Sequence, residues 1–232
     1  PILAKTSRNL RMNMQPIEEL PYLSDSAFRR DYLDQEPVLL TQMTTRWPAR
    51  EWSFLGLAER VGTTAITLQR YTPGGRTDFL RESTTSPREV ALSTWLEELA
   101  SDPEAPEWCL RESDAAFRAD PDLQYDLDFA GVFPRLRGPF EHFLWAGPKG
   151  YVTGLHTDEV AVNLLCHLLG EKDVVVFAPG QEDRLYPTGG AVDGGRYSEG
   201  DPLDPELEKH PNFRDLRGVQ ARLRPGDLLY IP

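Results

Sequence analysis

The feature that most constrains this chain is its texture from residue 142 onward. Short apolar segments at residues 142–146, 151–156, 162–169 and 173–177 are set close together, with Gly and Pro turns between them. A further apolar segment, 228–231, follows the turn Pro225-Gly226-Asp227. The gaps are too short for crossover helices, so the strands must pair antiparallel, which predicts a sandwich or a barrel. The polar stretch 180–218, with glycine pairs at 189–190 and 194–195, reads as a long insertion over the mouth of that barrel.

Upstream, the pattern turns helical. Residues 1–16 carry little periodicity and read as a loose arm. Ser24-Asp25 can cap a helix running to about residue 34, with Phe28 and Tyr32 on one face and Pro37 as its stop. Residues 38–40 are strand-like. Phe54, Leu57, Ala58 and Val61 fall on one helical stripe that Gly62 ends. Residues 64–71 alternate like a strand, and 72–87 reads as a loop. The next helix has two possible starts, Ser86-Pro87-Arg88-Glu89 with capping-box spacing or Thr94 three before Glu97, and ends by Pro103. Residues 107–111 suggest a strand and 121–127 a short helix. The expected organisation is one domain over 1–232, with a helical part over 1–105 and a strand core over 106–232.

The centre of the strand region is His156-Thr157-Asp158. Alternate strand residues share a face, so this imidazole and carboxylate can leave one side together. One nitrogen ligand beside one hard oxygen ligand makes two thirds of the two-His-one-carboxylate triad that holds non-haem ferrous iron. A surface His–Asp pair is the bland alternative. Thr153 precedes the pair, and Asn163 and Lys172 follow it. If 172–177 is a strand, Lys172 shares a face with Val174 and Val176, where an ammonium is costly unless an anion meets it. A small dicarboxylate would suit, gripped by Lys172 and the Thr153 hydroxyl. The competing reading has Lys172 in the turn after Gly170, extending to water.

The run T-x-x-H-x-D, then N-L-L-x-x-x-x-G-x-K, F-A-P, L-Y-P and P-G-D-L-L-Y-I-P resembles the JmjC and cupin-like 2-oxoglutarate oxygenases, and is most similar to the hydroxylase-type members. Upstream, P-V-L-L-T at residues 37–41 and W-P-A at 47–49 extend the likeness, so that it covers about residue 28 to the last residue. The resemblance implies a double-stranded β-helix (jelly-roll, cupin-type) barrel. It implies Fe(II) and 2-oxoglutarate as cofactors, His156 and Asp158 as metal ligands, Thr153 and Lys172 as carboxylate binders, and Asn163 as a polar residue of the cosubstrate pocket. The count from His156 to Asn163 and Lys172 is one residue longer than in the hydroxylase pattern, an insertion among residues 159–162.

The same resemblance places a second metal histidine shortly after P-G-D-L-L-Y-I-P, where this sequence stops, so the natural protein is expected to continue past Pro232. The other histidines are expected elsewhere: His142 in the core or the cosubstrate pocket, His167 packed in its apolar run, His210 solvated. Trp145, Tyr151 and Tyr186 are candidates for pocket lining, but each reads more simply as a plain core or rim aromatic. The implied reaction is hydroxylation of a protein side chain, a peptide or a small molecule. The rivals are a non-catalytic cupin-type binding module and a cupin metal enzyme that does not use 2-oxoglutarate.

Charge bears on the partners. With 37 acidic against 25 basic residues the net charge is −12, and no basic patch stands out, which disfavours a nucleic-acid substrate. No apolar run approaches a membrane span. Cys109 and Cys166 lack metal or redox spacing and read as free buried thiols of a reducing, cytoplasmic setting. A homodimer is one option for the assembly.

Overall fold

A computed structural model describes residues 13–70, 87–104, 107–136, 140–158, 162–187, 196–201 and 205–232. In chain order the first strands are β1 (Asn13–Pro16), β2 (Glu18–Leu20), β3 (Val38–Leu40), β4 (Ala65–Arg70), β5 (Arg88–Ala91), β6 (Trp108–Ser113) and β7 (Leu144–Ala146). They are followed by β8 (His156–Thr157), β9 (Asn163–Cys166), β10 (Lys172–Phe177), β11 (Arg196–Tyr197), β12 (Arg217–Leu223) and β13 (Leu228–Ile231). The helices are α1 (Asp25–Asp31), α2 (Phe54–Val61), α3 (Leu92–Ser101), α4 (Ala115–Ala119) and α5 (Phe129–Val132).

Two sheets face each other and make the frame of the site. One has the order β1-β12-β10, the other β2-β3-β13-β9. Register follows the hydrophobic pattern, because a slip of one residue would turn every side chain to the wrong face. Leu229 lies opposite Leu39 and Leu165, while Leu228 and Tyr230 lie opposite Leu40 and Val38. Leu39, Leu165, Leu229 and Ile231 therefore point into the gap between the sheets. There they meet Val174, Val176, Val219, Ala221 and Leu223 from the opposite wall. Each such large apolar side chain, when fully buried, stabilises the fold by about 1.5–3 kcal/mol.

The outer face of the second sheet carries a helical layer. Val38, Leu40, Leu228 and Tyr230 pack against Phe28, Tyr32, Trp47, Val132 and Phe133. Phe28 stacks on Phe133 at 3.9 Å between centroids and meets Tyr230 edge-on at 4.8 Å. The Tyr230 hydroxyl accepts the Asp34 N–H at 3.0 Å, so this buried ring's polar end has a partner. A further sheet, β5-β4-β6-β7, lays Ile66, Leu68 and Leu110 on α2 and α3 around the fully buried Trp95.

Local signals explain the helix ends. Ser24 caps α1 by accepting the Ala27 N–H at 3.2 Å, and Ser53 caps α2 through Gly56 at 3.0 Å. Gly62 closes α2 with φ +57°.

Several expectations need correction. The N-terminal part is mixed, since β1 to β5 stand among its helices. Residues 13–16 of the expected loose arm pair in parallel with β12, and β2 pairs in parallel with β3. The capping-box start at Ser86 does not hold: residues 88–91 are strand β5, paired with residues 65–68, and α3 begins only at Leu92. Ladder pairing outweighs a local cap worth about 1 kcal/mol. The expected strand 151–156 is reduced to the two-residue β8. The described sheets are open rather than joined into a closed barrel. The loop expected at 72–87 lies, up to residue 86, outside the described residues.

Candidate active site

His156 is held by its own backbone neighbourhood. Its Nδ1 lies 2.7 Å from the Gly154 carbonyl, an acceptor, so that nitrogen carries a proton and Nε2 is left to face Asp158. The short pairing of β8 with β11 sets Tyr197 opposite His156, and the Tyr197 ring stacks on the imidazole at 5.5 Å. Asp158, just past β8, brings Oδ1 to 3.3 Å from His156 Nε2. The H-x-D pair therefore converges. Asp158 remains 44% exposed, so a ligand can reach it.

The electrostatics agree. Burial works to lower the His156 pKa, but the Asp158 carboxylate and the Gly154 carbonyl outweigh it and raise the value, with Arg111 opposing. The Asp158 carboxyl is held below its usual range, mainly by His156 against the pull of burial, with help from Asn163. Two acceptors aimed at one another need a shared cation, either a proton or a metal.

Asn163 begins β9 on the inward face, alternating with Leu164 and sharing its side with Leu165. Its Nδ2 donates to Asp158 Oδ2 at 2.7 Å, so it orients the carboxylate. Lys172 begins β10 opposite Leu223, on the same face as Val174 and Val176, which line the gap between the sheets. Burial lowers its pKa, and among the described residues no carboxylate pairs with it. The Thr153 hydroxyl is buried without a well-formed hydrogen bond, with the Tyr151 hydroxyl as its neighbour. The structure thus joins His156, Asp158 and Asn163 by direct contact. Lys172 lies on the inner wall with Asn163, and among the described residues no hydrogen bond joins Thr153 to it.

The remaining histidines take other places. His142 packs against Phe117 and Phe129 at 5.2 and 5.7 Å. His210, expected to be solvated, is buried against Tyr186 and Phe213, because the polar segment folds back as a turn over that aromatic pair. Among the described residues no three His, Cys, Asp or Glu side chains gather as a metal group. Cys109 and Cys166 are not joined in a disulfide, Cys109 Sγ donates to the Gln69 carbonyl at 3.6 Å, and burial pushes the Cys166 thiol up to about 12.

Sequence reasoning missed Arg111 and Tyr197. Arg111 donates to Gln69 Oε1 at 2.5 Å and to the Tyr197 hydroxyl at 3.3 Å, and its guanidinium carbon lies 5.6 Å from the centroid of the Trp145 ring. Alternation with the buried Cys109 was the available signal for Arg111. Tyr197 sits in the polar stretch, where no periodicity marks it.

Two facing walls of strands, with a converging imidazole–carboxylate pair held through Asn163 and a lysine on the inner wall, define the class as cupin-type. Residues 24–232 match the family model described as "Cupin-like domain". The chain belongs to this cupin-like, JmjC-type family. It is 28% identical over 214 residues to HSPB1-associated protein 1 of Bos taurus, which covers 85% of this chain and 44% of that protein. It is 27% identical over 243 residues to tRNA wybutosine-synthesizing protein 5 of Danio rerio, covering 95% and 71% respectively. Lysine-specific demethylase 8 of Danio rerio is 25% identical over 232 residues, covering 94% and 54%. The chain thus spans less than half the length of the bovine relative and about half that of the demethylase. Among the described residues no helix is long and apolar enough to cross a membrane.

Proposed function

We propose that this chain is the catalytic domain of a 2-oxoglutarate-dependent oxygenase that hydroxylates a C–H bond of a protein side chain, a peptide or a small molecule. The observation that carries this reading is Lys172, an ammonium on an apolar inner wall with no carboxylate partner among the described residues, in the same interior as the converging His156–Asp158 pair. An uncompensated buried cation is costly, and an entering dicarboxylate removes the cost. The buried Thr153 hydroxyl offers a second donor of the right kind.

The donor set fits the cofactors of the family. His156 Nε2 and Asp158 Oδ1 would hold ferrous iron, Asn163 would keep the carboxylate turned toward it, and Lys172 with Thr153 would hold the far carboxylate of 2-oxoglutarate. Iron bound there would supply the use of dioxygen, one oxygen atom entering succinate as 2-oxoglutarate loses carbon dioxide and the other entering the substrate as its new hydroxyl. The two facing sheets would act as opposite walls of a double-stranded β-helix.

The substrate class stays broad. One relative is named for tRNA modification and another as a lysine demethylase, so net charge alone does not remove RNA from the candidates. A cytoplasmic setting is proposed from the two cysteines, which are reduced. The second reading, a non-catalytic binding module, draws on the meeting of only two metal donors among the described residues.

The deciding experiment measures succinate formed from 2-oxoglutarate with and without ferrous iron, for the wild type and for His156→Ala and Asp158→Asn. Iron-dependent succinate lost in both variants is expected. No turnover under any condition, with intact folding, moves the assignment to the binding module.

A further inference from the structure

A second polar group faces the interior shared by Asn163 and Lys172. In β9, Asn163 and Leu165 point inward and Leu164 and Cys166 outward, so the next residue, His167, turns its ring inward again. The backbone pins it there. His167 N donates to the Asp227 carbonyl at 2.9 Å, and Gly226 N donates to the His167 carbonyl at 2.7 Å. Its Nε2 is buried with no hydrogen-bond partner. Residues 168–171 form the connection between β9 and β10, which places His167 and Lys172 on its two limbs. Buried polar side-chain atoms are nearly always paired, and an unpaired one calls for an explanation, a bound group among them.

We propose that His167 is a second anchor for the far carboxylate of 2-oxoglutarate, its Nε2–H donating to the same carboxylate that Lys172 contacts. The inference rests on the reading of the preceding subsection and adds a residue to it. Burial first, and with it the Lys172 charge, lowers the His167 pKa, against the Gly170 carbonyl that the ring faces and the Asp227 and Glu171 carboxylates. Asp227 is already engaged, accepting the Arg224 N–H at 2.8 Å, and Leu223, the partner of Lys172 across the sheet, is apolar. Entry of a carboxylate reverses the balance. It offsets the Lys172 charge and favours the imidazolium, which then has one N–H for Gly170 and one for the ligand. Binding of the diacid therefore takes up a proton at His167.

The test is calorimetry of 2-oxoglutarate binding to the full chain, loaded anaerobically with manganous ion so that no turnover occurs. Titrations near neutral pH in two buffers of different ionisation enthalpy give the proton count. Wild type is compared with His167→Gln, which keeps an N–H but does not titrate, and with His167→Leu, which keeps neither; melting curves check that both fold. Proton uptake seen in wild type should vanish in both variants. Affinity should fall about ten-fold in His167→Leu and less in His167→Gln. Unchanged affinity and proton count across all three proteins overturns the assignment of His167, whereas binding that ignores Lys172→Met brings down the underlying reading of the site.

Discussion

Replacing Lys172 by methionine separates the cost of this side chain from its use. Methionine is of similar length and fits the wall formed by Val174, Val176 and Leu223. A hydrogen bond to a charged partner contributes about 1.5–3 kcal/mol, so losing the ammonium should weaken 2-oxoglutarate binding by roughly ten- to hundred-fold. Stability should move the other way. The wild-type protein buries a cation without a carboxylate partner among the described residues, and removing it should stabilise the empty protein by about 1 kcal/mol, or about 2–4 °C in Tm. The pH dependence follows from the depressed pKa. The folded protein gives up this proton more readily than the unfolded chain, so the destabilisation is full below the folded pKa. It is relieved as pH rises from there toward the unfolded value of about 10.4. The Tm gap between variant and wild type should therefore narrow in alkali. Differential scanning fluorimetry across pH and calorimetric titration of 2-oxoglutarate read the two effects. A variant that melts several degrees lower and binds 2-oxoglutarate normally would show that Lys172 is a structural residue.

Other changes probe separate parts of the molecule. Asn163→Ala removes the hold on Asp158 Oδ2 and should lower cobaltous-ion affinity by about ten-fold, read by the visible absorption of the bound ion, with little change in Tm. Trp95→Ala empties a fully buried site between α3 and its sheet and should cost about 3–5 kcal/mol in urea unfolding. Gly226 has φ +93°, and an added Cβ would overlap the Arg50 guanidinium, so Gly226→Ala should destabilise by about 1–3 kcal/mol. Arg88 binds both carboxylate oxygens of Glu98, at 2.8 and 2.6 Å, and this hydrogen bonding holds the Glu98 pKa low. Its contribution is present above the unfolded pKa of about 4.3 and is lost as pH falls through the folded value, so Glu98→Gln should flatten the acid limb of a Tm–pH curve.

What could be read in the sequence follows the strength of local signals. α1 and α2 were legible because Ser24 and Gly62 mark their ends and their apolar stripes keep helical spacing. The inward face of β10 was legible because Lys172 alternates with the valines that follow it, whereas the apolar run of β9 marked a strand but not which side faces in. β1, β2 and β5 were not legible, since each is a short polar strand that exists only through a partner distant in the chain. The convergence of His156 and Asp158 was stated from a strand period, yet the strand there is only two residues long. The Gly154 carbonyl and Tyr197 position that imidazole, and neither shows in the pattern around it. His210 was misjudged because its burial depends on Tyr186 and Phe213, tertiary partners that no local window contains.

β1 and β2 are separated by the single buried residue Ile17. One brief stretch of backbone therefore supplies the outermost ribbon of both walls, alongside β12 in one and β3 in the other. Any recombinant version begun at residue 24 would bare two unprotected rims at once and invite them to pair with a neighbouring molecule. Soluble expression should depend on retaining those few upstream residues, even though they lie far from the chemistry in sequence and carry no reactive group.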